Sequence, residues 1–382
     1  MKKIYRITTI PLSLEKLLGE QLTFINQHIK VTALSSDEKE LKRVPNSLHI
    51  EYQHVEMTRQ ITPIKDIKAL WKLYKILRKD KPEIVHTHTP KAGIIGMLAA
   101  RLAGIPIRLH TVAGLPLMET SGKKRKILEA VEQLTYRCAT RVYPNSEGLM
   151  KFIIQNKFTS IDKLKIIGNG SSNGINTDYF NQKNILEDQK KQLKTSLNID
   201  ENDFVFIFVG RLVGDKGINE LIKAYTVLDK TSTKLLLVGP LETELDPLLE
   251  STLQHIKSNS NIIHVGYQQD VRPYFSIANS LVFPSYREGF PNVVMQAGAM
   301  DLPSIVSDIN GCNEIIIDQK NGLIIPSKDS DALKTAMLQI IEEPQFYKNI
   351  KNNSRLMIES RYKQTLIWDE LLKEYNTLLN KR

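Results

Sequence analysis

The sequence predicts an α/β protein built from two doubly wound parallel sheets, each at the centre of its own Rossmann-like domain. Short apolar runs alternate with segments of helical apolar spacing along the whole chain, a pattern typical of parallel strands covered by helices. The chain has 382 residues, which is long for one hydrophobic core. A polar, glycine-rich stretch at 168–174 interrupts the pattern, so we expect the linker between the domains there.

The first half of the chain supplies the first sheet. Strands are predicted at 4–10, 31–34, 84–86, 107–111, 142–146 and 164–167, with a long helix around 67–77. Ligands of such sheets bind beyond the carboxyl ends of the strands. The loops at 8–13, 86–93 and 110–116 are therefore candidate binding loops.

The second half repeats the alternation. Strands are predicted at 204–209, 234–239, 262–265, 280–283, 303–306 and 322–325. Apolar residues between 366 and 379 have the spacing of an amphipathic helix. We expect domains at 1–170 and 171–362, with a C-terminal helix at about 363–382.

Composition favours a soluble protein of a reducing compartment. Hydrophobic residues make up 41% and charged residues 25% of the chain, as in ordinary globular proteins. Cys138 and Cys312 are too few for a disulfide framework or a cysteine metal cluster. The N-terminus lacks the apolar core of a signal peptide, and no run of about twenty apolar residues follows. We expect a cytoplasmic protein that does not span a membrane.

Positive charge is concentrated in the first half. Residues 1–170 carry 29 Lys and Arg against 15 Asp and Glu, a balance of +14, and the rest of the chain has a balance of −4. This asymmetry predicts an anionic partner, and we favour a membrane surface over nucleic acid, because no nucleic-acid motif accompanies the charge. The cationic cluster 121–126, beside Leu115, Leu117 and Met118, suits shallow contact with an anionic bilayer, although a solvated charged face is an equal alternative.

A strand-to-helix turn at 285–300 is the first candidate site. Gly289 permits a bend close to a ligand, Pro291 suits a first helical turn, and the free amides from Asn292 onward suit an anion. Glu288 lies at the helix start and Gln296 about two turns further along. An ordinary crossover helix with a solvated Glu is the alternative interpretation.

A second candidate site follows the buried strand predicted at 204–209. Glycines bracket the loop after it, which carries Arg211 and Lys216. A planar guanidinium and an ammonium five residues apart can converge on one diphosphate. Solvated loop charges are the alternative.

Together these motifs resemble the retaining, nucleotide-sugar-dependent glycosyltransferases of family four, which have the two-domain GT-B fold. The resemblance implies two domains that face a central cleft and a final helix that crosses back to the first domain. It implies that Glu288 contacts the donor sugar, that Arg211 and Lys216 hold the donor diphosphate, and that position 296, a Glu in the family, contacts the ribose. His110 corresponds to the family histidine that reaches the donor sugar. The remaining implied donor contacts are Tyr267 near the base and the helix start Phe290, Pro291, Asn292 and Val293.

The acceptor side is assigned to the basic domain. Lys91, before a predicted helix, is a candidate for an acceptor phosphate, with a solvated lysine as an equal alternative. Ser13 stands in a loop where the family often has a glycine pair. Phe290-Pro291-Asn292, 310–313 and 89–93 are similar to the CapM-type capsule glycosyltransferases. That similarity implies transfer from a UDP-sugar, such as UDP-N-acetyl-fucosamine, to a sugar on undecaprenyl diphosphate at the inner face of the cell membrane.

No metal or other cofactor is expected. His86 and His88 form a His-x-His loop without an evident third ligand, so we do not assign a metal there. Asp329 and Asp331 match an Asp-x-Asp metal pattern, but they directly precede a predicted helix and suit capping better. Two other functions stay open: a UDP-sugar 2-epimerase of the same fold, and a noncatalytic assembly subunit suggested by Gln296.

Overall fold

Two wholly parallel six-stranded sheets form the framework of the protein in a computed structural model that describes residues 2–37, 50–228, 230, 232–244 and 246–381. The predicted α/β class with two doubly wound sheets is confirmed. The chain divides into two compact units, Met1–Gly174 with Thr365–Arg382, and Ile175–Gln364.

The first sheet has the strand order β3-β2-β1-β4-β5-β6. Its strands are β1 (Lys3–Ile7), β2 (Lys30–Ser35), β3 (Glu51–His54), β4 (Ile84–Thr87), β5 (Ile107–Val112) and β6 (Arg141–Pro144). Ile4 of β1 lies opposite Val31 of β2 and Ile84 of β4, so β1 is central.

Two strand predictions in this unit differ from the structure. The edge strand β3 was not predicted, because Glu51–His54 is polar and only partly buried and so lacks an apolar run. The strand predicted at 164–167 is wrong: Leu164 makes an isolated bridge to Val142 and the chain continues without a ladder.

Helices cover both faces of the first sheet. They are Pro11–Ser13, the π-helical turn Leu14–Leu18, Gln21–Asn26, Pro63–Asp80, Pro90–Leu102, Gly122–Cys138, Glu147–Gln155 and Gln364–Asn380, with 3₁₀ turns at Pro116–Glu119 and Ile161–Lys163. Tyr5 and Ile7 contribute to the core on one face, and Ile4 contributes to the core on the other. The predicted C-terminal helix is confirmed, and its Leu371 and Tyr375 pack in the same core as Ile4.

The second sheet has the strand order β12-β11-β10-β7-β8-β9. Its strands are β7 (Phe204–Val209), β8 (Thr233–Val238), β9 (Ile262–His264), β10 (Ser280–Phe283), β11 (Ser304–Ser307) and β12 (Gly322–Ile325). All residues of 205–208 are buried, since helices cover both faces, which explains the continuous apolar run. β7 and β10 are neighbours at the point where the strand order reverses, the usual ligand position in such sheets.

The helices of the second unit connect these strands. They are Glu187–Ser196, Ile218–Thr226, Glu250–Ser258, Arg272–Ser276, Asn292–Ala299, Cys312–Ile315, Ser330–Glu342 and Pro344–Tyr362, with 3₁₀ turns at Gln182–Asn184 and Gly214–Lys216. Within the described part of the chain, none of the helices combines the length and the apolar character that crossing a membrane requires.

Candidate active site

The second unit brings two predicted site residues into direct contact. The loops that follow β7 and β10 leave the same edge of the sheet, because these strands are parallel neighbours. Nζ of Lys216 lies 2.5 Å from Oε1 of Glu288, and the two side chains are only 18% and 16% exposed. A partly buried ammonium and a carboxylate therefore meet at the switch point.

Hydrogen bonds hold the Glu288 turn in place. The Ser285 hydroxyl lies 3.0 Å from Oε1 of Glu288. Nδ2 of Asn310 donates to the backbone carbonyl oxygens of Glu288 at 3.0 Å and Gly289 at 2.6 Å. The Ser285 hydroxyl orients the Glu288 carboxylate, and Asn310 holds the backbone of the turn. Sequence reasoning gave no site role to Ser285 or Asn310.

Close backbone approach at this edge requires glycine at two positions. Gly217 has a φ of +71°, and a Cβ there would lie 2.1 Å from the carbonyl oxygen of Pro284. Gly311 has a φ of +78°, and a Cβ there would lie 2.5 Å from the carbonyl oxygen of Gly289. A side chain at position 217 would push the Lys216 loop away from the end of β10, and one at position 311 would push the loop after β11 away from the Glu288 turn.

Arg211 also follows β7, but its partner is not Glu288. Nη1 of Arg211 lies 2.6 Å from Oε2 of Glu242, and the Arg211 side chain is 51% exposed. Sequence reasoning did not identify Glu242, which lies 31 residues further along the chain. A diphosphate that engages Arg211 would compete with this carboxylate.

The helix Asn292–Ala299 begins directly after the Glu288 turn. Asn292 at its start is exposed, and Val293 and Gln296 are half-buried. Pro291 is buried, and the Phe290 ring packs edge-on against Tyr362 with ring centroids 5.4 Å apart. The helix start is thus braced by the core and leaves its first turn accessible.

Tyr267 lies on the loop after β9 and is 73% exposed. An exposed aromatic ring is available for stacking against a flat ligand. Its predicted role as a base contact stays a prediction.

His110, on β5 of the first unit, is 3% exposed and held in one orientation. Its Nδ1 lies 2.8 Å from the Thr87 hydroxyl, and its ring packs 5.9 Å from that of Tyr136. A Cβ on Gly93 would lie 2.6 Å from the imidazole, so only glycine leaves room for the ring. Burial lowers the pKa of His110 to about 4, so the imidazole is neutral at pH 7 and acts as a hydrogen-bonding group, not as a cation.

Lys91 is paired inside the first unit. Its Nζ lies 2.5 Å from Oδ2 of Asp66, and the Lys91 side chain is 12% exposed. An acceptor phosphate at Lys91 would have to share it with Asp66. Ser13 is half-buried at the end of the turn Pro11–Ser13, and its backbone amide donates to the carbonyl of Ile10.

The His-x-His loop is engaged by protein partners. Nδ1 of His86 lies 2.6 Å from the Tyr375 hydroxyl and its Nε2 lies 2.8 Å from the Thr111 hydroxyl. Nε of Arg6 donates to Nε2 of His88 at 2.9 Å. Among the described residues, no group of three or more His, Cys, Asp or Glu side chains has the geometry of a metal site.

The structure confirms one further prediction and contradicts another. The capping prediction for the Asp-x-Asp pattern is confirmed, since Oδ1 of Asp329 accepts from the amides of Asp331 and Ala332. The suggestion that Leu115 and Leu117 contact a bilayer is wrong, because they are 5% and 1% exposed and belong to the core.

The family comparisons identify the chain as a glycosyltransferase. The Glycosyl transferases group 1 family matches residues 189–357, and the Glycosyl transferase 4-like domain matches residues 26–170. The chain belongs to this family of glycosyltransferases, as a relative of matching length also shows.

That relative is the capsular polysaccharide biosynthesis glycosyltransferase CapM of Staphylococcus aureus. It is 33% identical over 381 residues, covering 99% of this chain and 98% of CapM. The UDP-Gal:alpha-D-GlcNAc-diphosphoundecaprenol alpha-1,3-galactosyltransferase of Escherichia coli is 30% identical over 292 residues, covering 75% of this chain and 73% of that enzyme. Among solved structures, Anabaena HepE in complex with UDP and glucose superposes with a TM-score of 0.82 at 18% identity, covering 99% of this chain and all of HepE, which confirms the GT-B fold.

Proposed function

We propose that this enzyme transfers a sugar from a UDP-sugar donor to a sugar on undecaprenyl diphosphate during assembly of a capsular or surface polysaccharide. The observation that carries the proposal is the Lys216–Glu288 pair at the switch point of the second sheet. The names of the relatives support it, since one belongs to capsule biosynthesis and another acts on a diphosphoundecaprenol-linked sugar.

The proposed role of the cations is to stabilise the leaving diphosphate. Cleavage of the anomeric bond leaves negative charge on the nucleotide, and fixed positive charge lowers the energy of that state. Lys216 supplies a largely buried ammonium, and the free amides at the start of Asn292–Ala299 supply partial positive charge. Arg211 adds a guanidinium that exchanges Glu242 for a phosphate oxygen. We expect these groups to serve in place of a metal ion.

Glu288 has two proposed roles. In the absence of ligand its carboxylate neutralises Lys216, and when the diphosphate takes over Lys216 the carboxylate can accept hydrogen bonds from donor sugar hydroxyls. The Ser285 and Asn310 contacts keep the turn oriented through this exchange. Gln296, about one turn beyond the start of the helix Asn292–Ala299, is proposed to contact the ribose through an uncharged amide.

The first unit is proposed to contribute the acceptor side and His110. A neutral imidazole fixed by Thr87 can hydrogen-bond a donor sugar hydroxyl without attracting the diphosphate. Lys91 and Ser13 are the proposed acceptor contacts. An N-acetylated hexose such as N-acetyl-fucosamine is the proposed donor sugar, and retention of anomeric configuration is the proposed stereochemistry.

The cellular place follows from the proposed acceptor. A lipid-linked acceptor lies in the membrane, and residues 1–170 carry a net charge of +14 that suits an anionic surface. We propose a peripheral protein at the cytoplasmic face of the cell membrane.

A screen of the purified enzyme tests the function. Each UDP-sugar is supplied with and without an undecaprenyl-diphosphate-linked sugar, and UDP release and lipid product are measured in the presence and absence of EDTA. Acceptor-dependent UDP release that survives EDTA is expected. A changed configuration at C2 of the sugar without acceptor, whether the sugar stays on UDP or is released by water, would indicate a 2-epimerase instead. Donor binding without any turnover would indicate a noncatalytic subunit.

A further inference from the structure

One helix of the first unit leaves large apolar side chains in solvent. The helix Pro63–Asp80 turns Ala69, Leu73 and Leu77 into the core. On its outer side, Ile64 is 74%, Ile67 56% and Trp71 53% exposed. Their spacing of three and four residues places them side by side on one edge of the exposed face. A contiguous apolar strip on a protein surface is a candidate interaction site.

Cations occupy the other edge of the same face. Lys65, Lys68, Lys72 and Lys75 are exposed and spaced by three or four residues, and exposed Lys79 continues the row. The two acids of the helix point elsewhere, since Asp66 pairs with Lys91, and Asp80 accepts a hydrogen bond of 2.5 Å from the Tyr5 hydroxyl. The outer face, defined as the first four of these lysines with Ile64, Ile67 and Trp71, is therefore apolar on one edge and positive on the other.

This face suits a bilayer better than the cationic cluster at 121–126 does. That cluster opens the helix Gly122–Cys138, but Leu115 and Leu117 beside it are buried, which leaves Met118 and Ile127 as the exposed apolar side chains next to the charge, without a tryptophan. The outer face has both the charge and a tryptophan. The Trp71 ring is also supported by an edge-on contact with Tyr74, with centroids 5.5 Å apart.

We propose that the outer face of Pro63–Asp80 binds an anionic lipid bilayer. Ile64, Ile67 and Trp71 enter the interfacial region, and the lysines contact lipid phosphates. In a bilayer the apolar acyl region lies directly below the charged headgroups. The helix matches this order, because its tryptophan and aliphatic edge lies beside an edge of flexible lysines. The inference rests on the proposed function for its purpose, which is to bring the enzyme to a lipid-linked acceptor, but vesicle binding is measured without any transfer.

Tryptophan fluorescence of the full-length protein provides a direct test. The chain has two tryptophans, and Trp368 is 8% exposed with its Nε1 donating to Oδ1 of Asn173. With phosphatidylcholine vesicles containing phosphatidylglycerol, we expect a blue shift and quenching by brominated lipid that Trp71→Phe abolishes. Pure phosphatidylcholine vesicles should give a much smaller change, because the lysines contribute little there.

Charge variants separate this face from the general basic character of the protein. The constant for binding to anionic vesicles, measured by sedimentation, should fall by about fivefold for each lysine removed, because each contributes about 1 kcal/mol. The variant replaces four lysines of the outer face with Gln, at Lys65, Lys68, Lys72 and Lys75. The matched control replaces four exposed lysines of the second unit with Gln, at Lys223, Lys257, Lys320 and Lys348. All eight side chains are exposed, so thermal unfolding should be unchanged in both variants.

Three outcomes would overturn the inference: no binding of the wild-type protein to anionic vesicles, equal losses in the two lysine variants, or wild-type binding by a triple variant with Ser at Ile64, Ile67 and Trp71. Binding to an acidic protein but not to vesicles would assign the face to a protein partner instead. Vesicle binding in a protein that transfers no sugar would refute only the proposed function.

Discussion

Replacement of Lys216 by Gln tests whether the ion pair at the switch point serves the reaction. The variant keeps most of the side-chain volume and removes the ammonium that lies 2.5 Å from Glu288. If Lys216 stabilises the leaving diphosphate, kcat/KM should fall by about 10²–10³-fold, corresponding to about 3–4 kcal/mol of transition-state stabilisation.

The same change also affects the unliganded protein. Both side chains are more than four-fifths buried, so loss of one partner leaves a poorly solvated carboxylate. Breaking a fully buried pair costs about 3–5 kcal/mol, and solvent access at this site lowers our expectation to about 1–2 kcal/mol of unfolding free energy. Chemical denaturation measures this loss separately from turnover.

Steady-state kinetics with a saturating lipid acceptor and a varied UDP-sugar provide the assay. Lys223→Gln, an exposed lysine on the helix Ile218–Thr226, is the control and should match the wild type. A Lys216→Gln enzyme that loses stability but keeps kcat/KM within about threefold of the wild type would show that the pair is structural only. In a double-mutant cycle with Glu288→Gln, we expect the two effects to be non-additive, because the residues share one contact.

Three further predictions concern the stability of the fold and are measured by denaturation, the second together with UDP binding. Asp329→Ala should lower the unfolding free energy by about 1 kcal/mol, because it removes the acceptor for two amides at the start of Ser330–Glu342; an unchanged value would mean that water replaces the cap at no cost. Gly217→Ala should destabilise the protein and reduce donor binding, because its Cβ would meet a carbonyl oxygen at 2.1 Å; normal UDP affinity would contradict the tight approach of the two loops. Stability should fall as the pH drops below about 6.5, because burial lowers the pKa values of His86, His88 and His110 in the folded state, so the unfolded chain binds protons first. With a folded pKa of about 4, His110 alone should account for a loss of up to about 3 kcal/mol at pH 4; a flat profile between pH 7 and 5 would refute this.

Regular apolar patterns were sufficient to predict most of the strands. The run 204–209 is apolar throughout because helices cover both faces of β7. Its burial can therefore be predicted from consecutive residues. β3 was not predicted because Glu51–His54 is an edge strand held by backbone hydrogen bonds to β2. Backbone pairing does not require apolar side chains. The strand predicted at 164–167 is absent for a related reason: Leu164 and Ile167 are buried although the segment forms only one bridge and no ladder.

Partners distant in sequence could not be predicted from local spacing. Lys216 and Glu288 were each identified, but their contact depends on the adjacency of β7 and β10, which are separated by two strands in the chain. The pairing of Lys91 with Asp66 and of Arg211 with Glu242 had no sequence signal at all. Each pair joins residues that lie on different elements.

The sequence alone determined the α/β class, the two sheets, the loops at their strand ends and the excess of positive charge in the first half, because apolar periodicity and charge are properties of neighbouring residues. Tertiary structure alone decided which charges neutralise each other, how the Glu288 turn is held, and which cations stay free beside an exposed apolar strip on Pro63–Asp80. Those outcomes depend on the packing of elements that lie far apart in the chain, and packing is what sets the distance between two charges and their access to water.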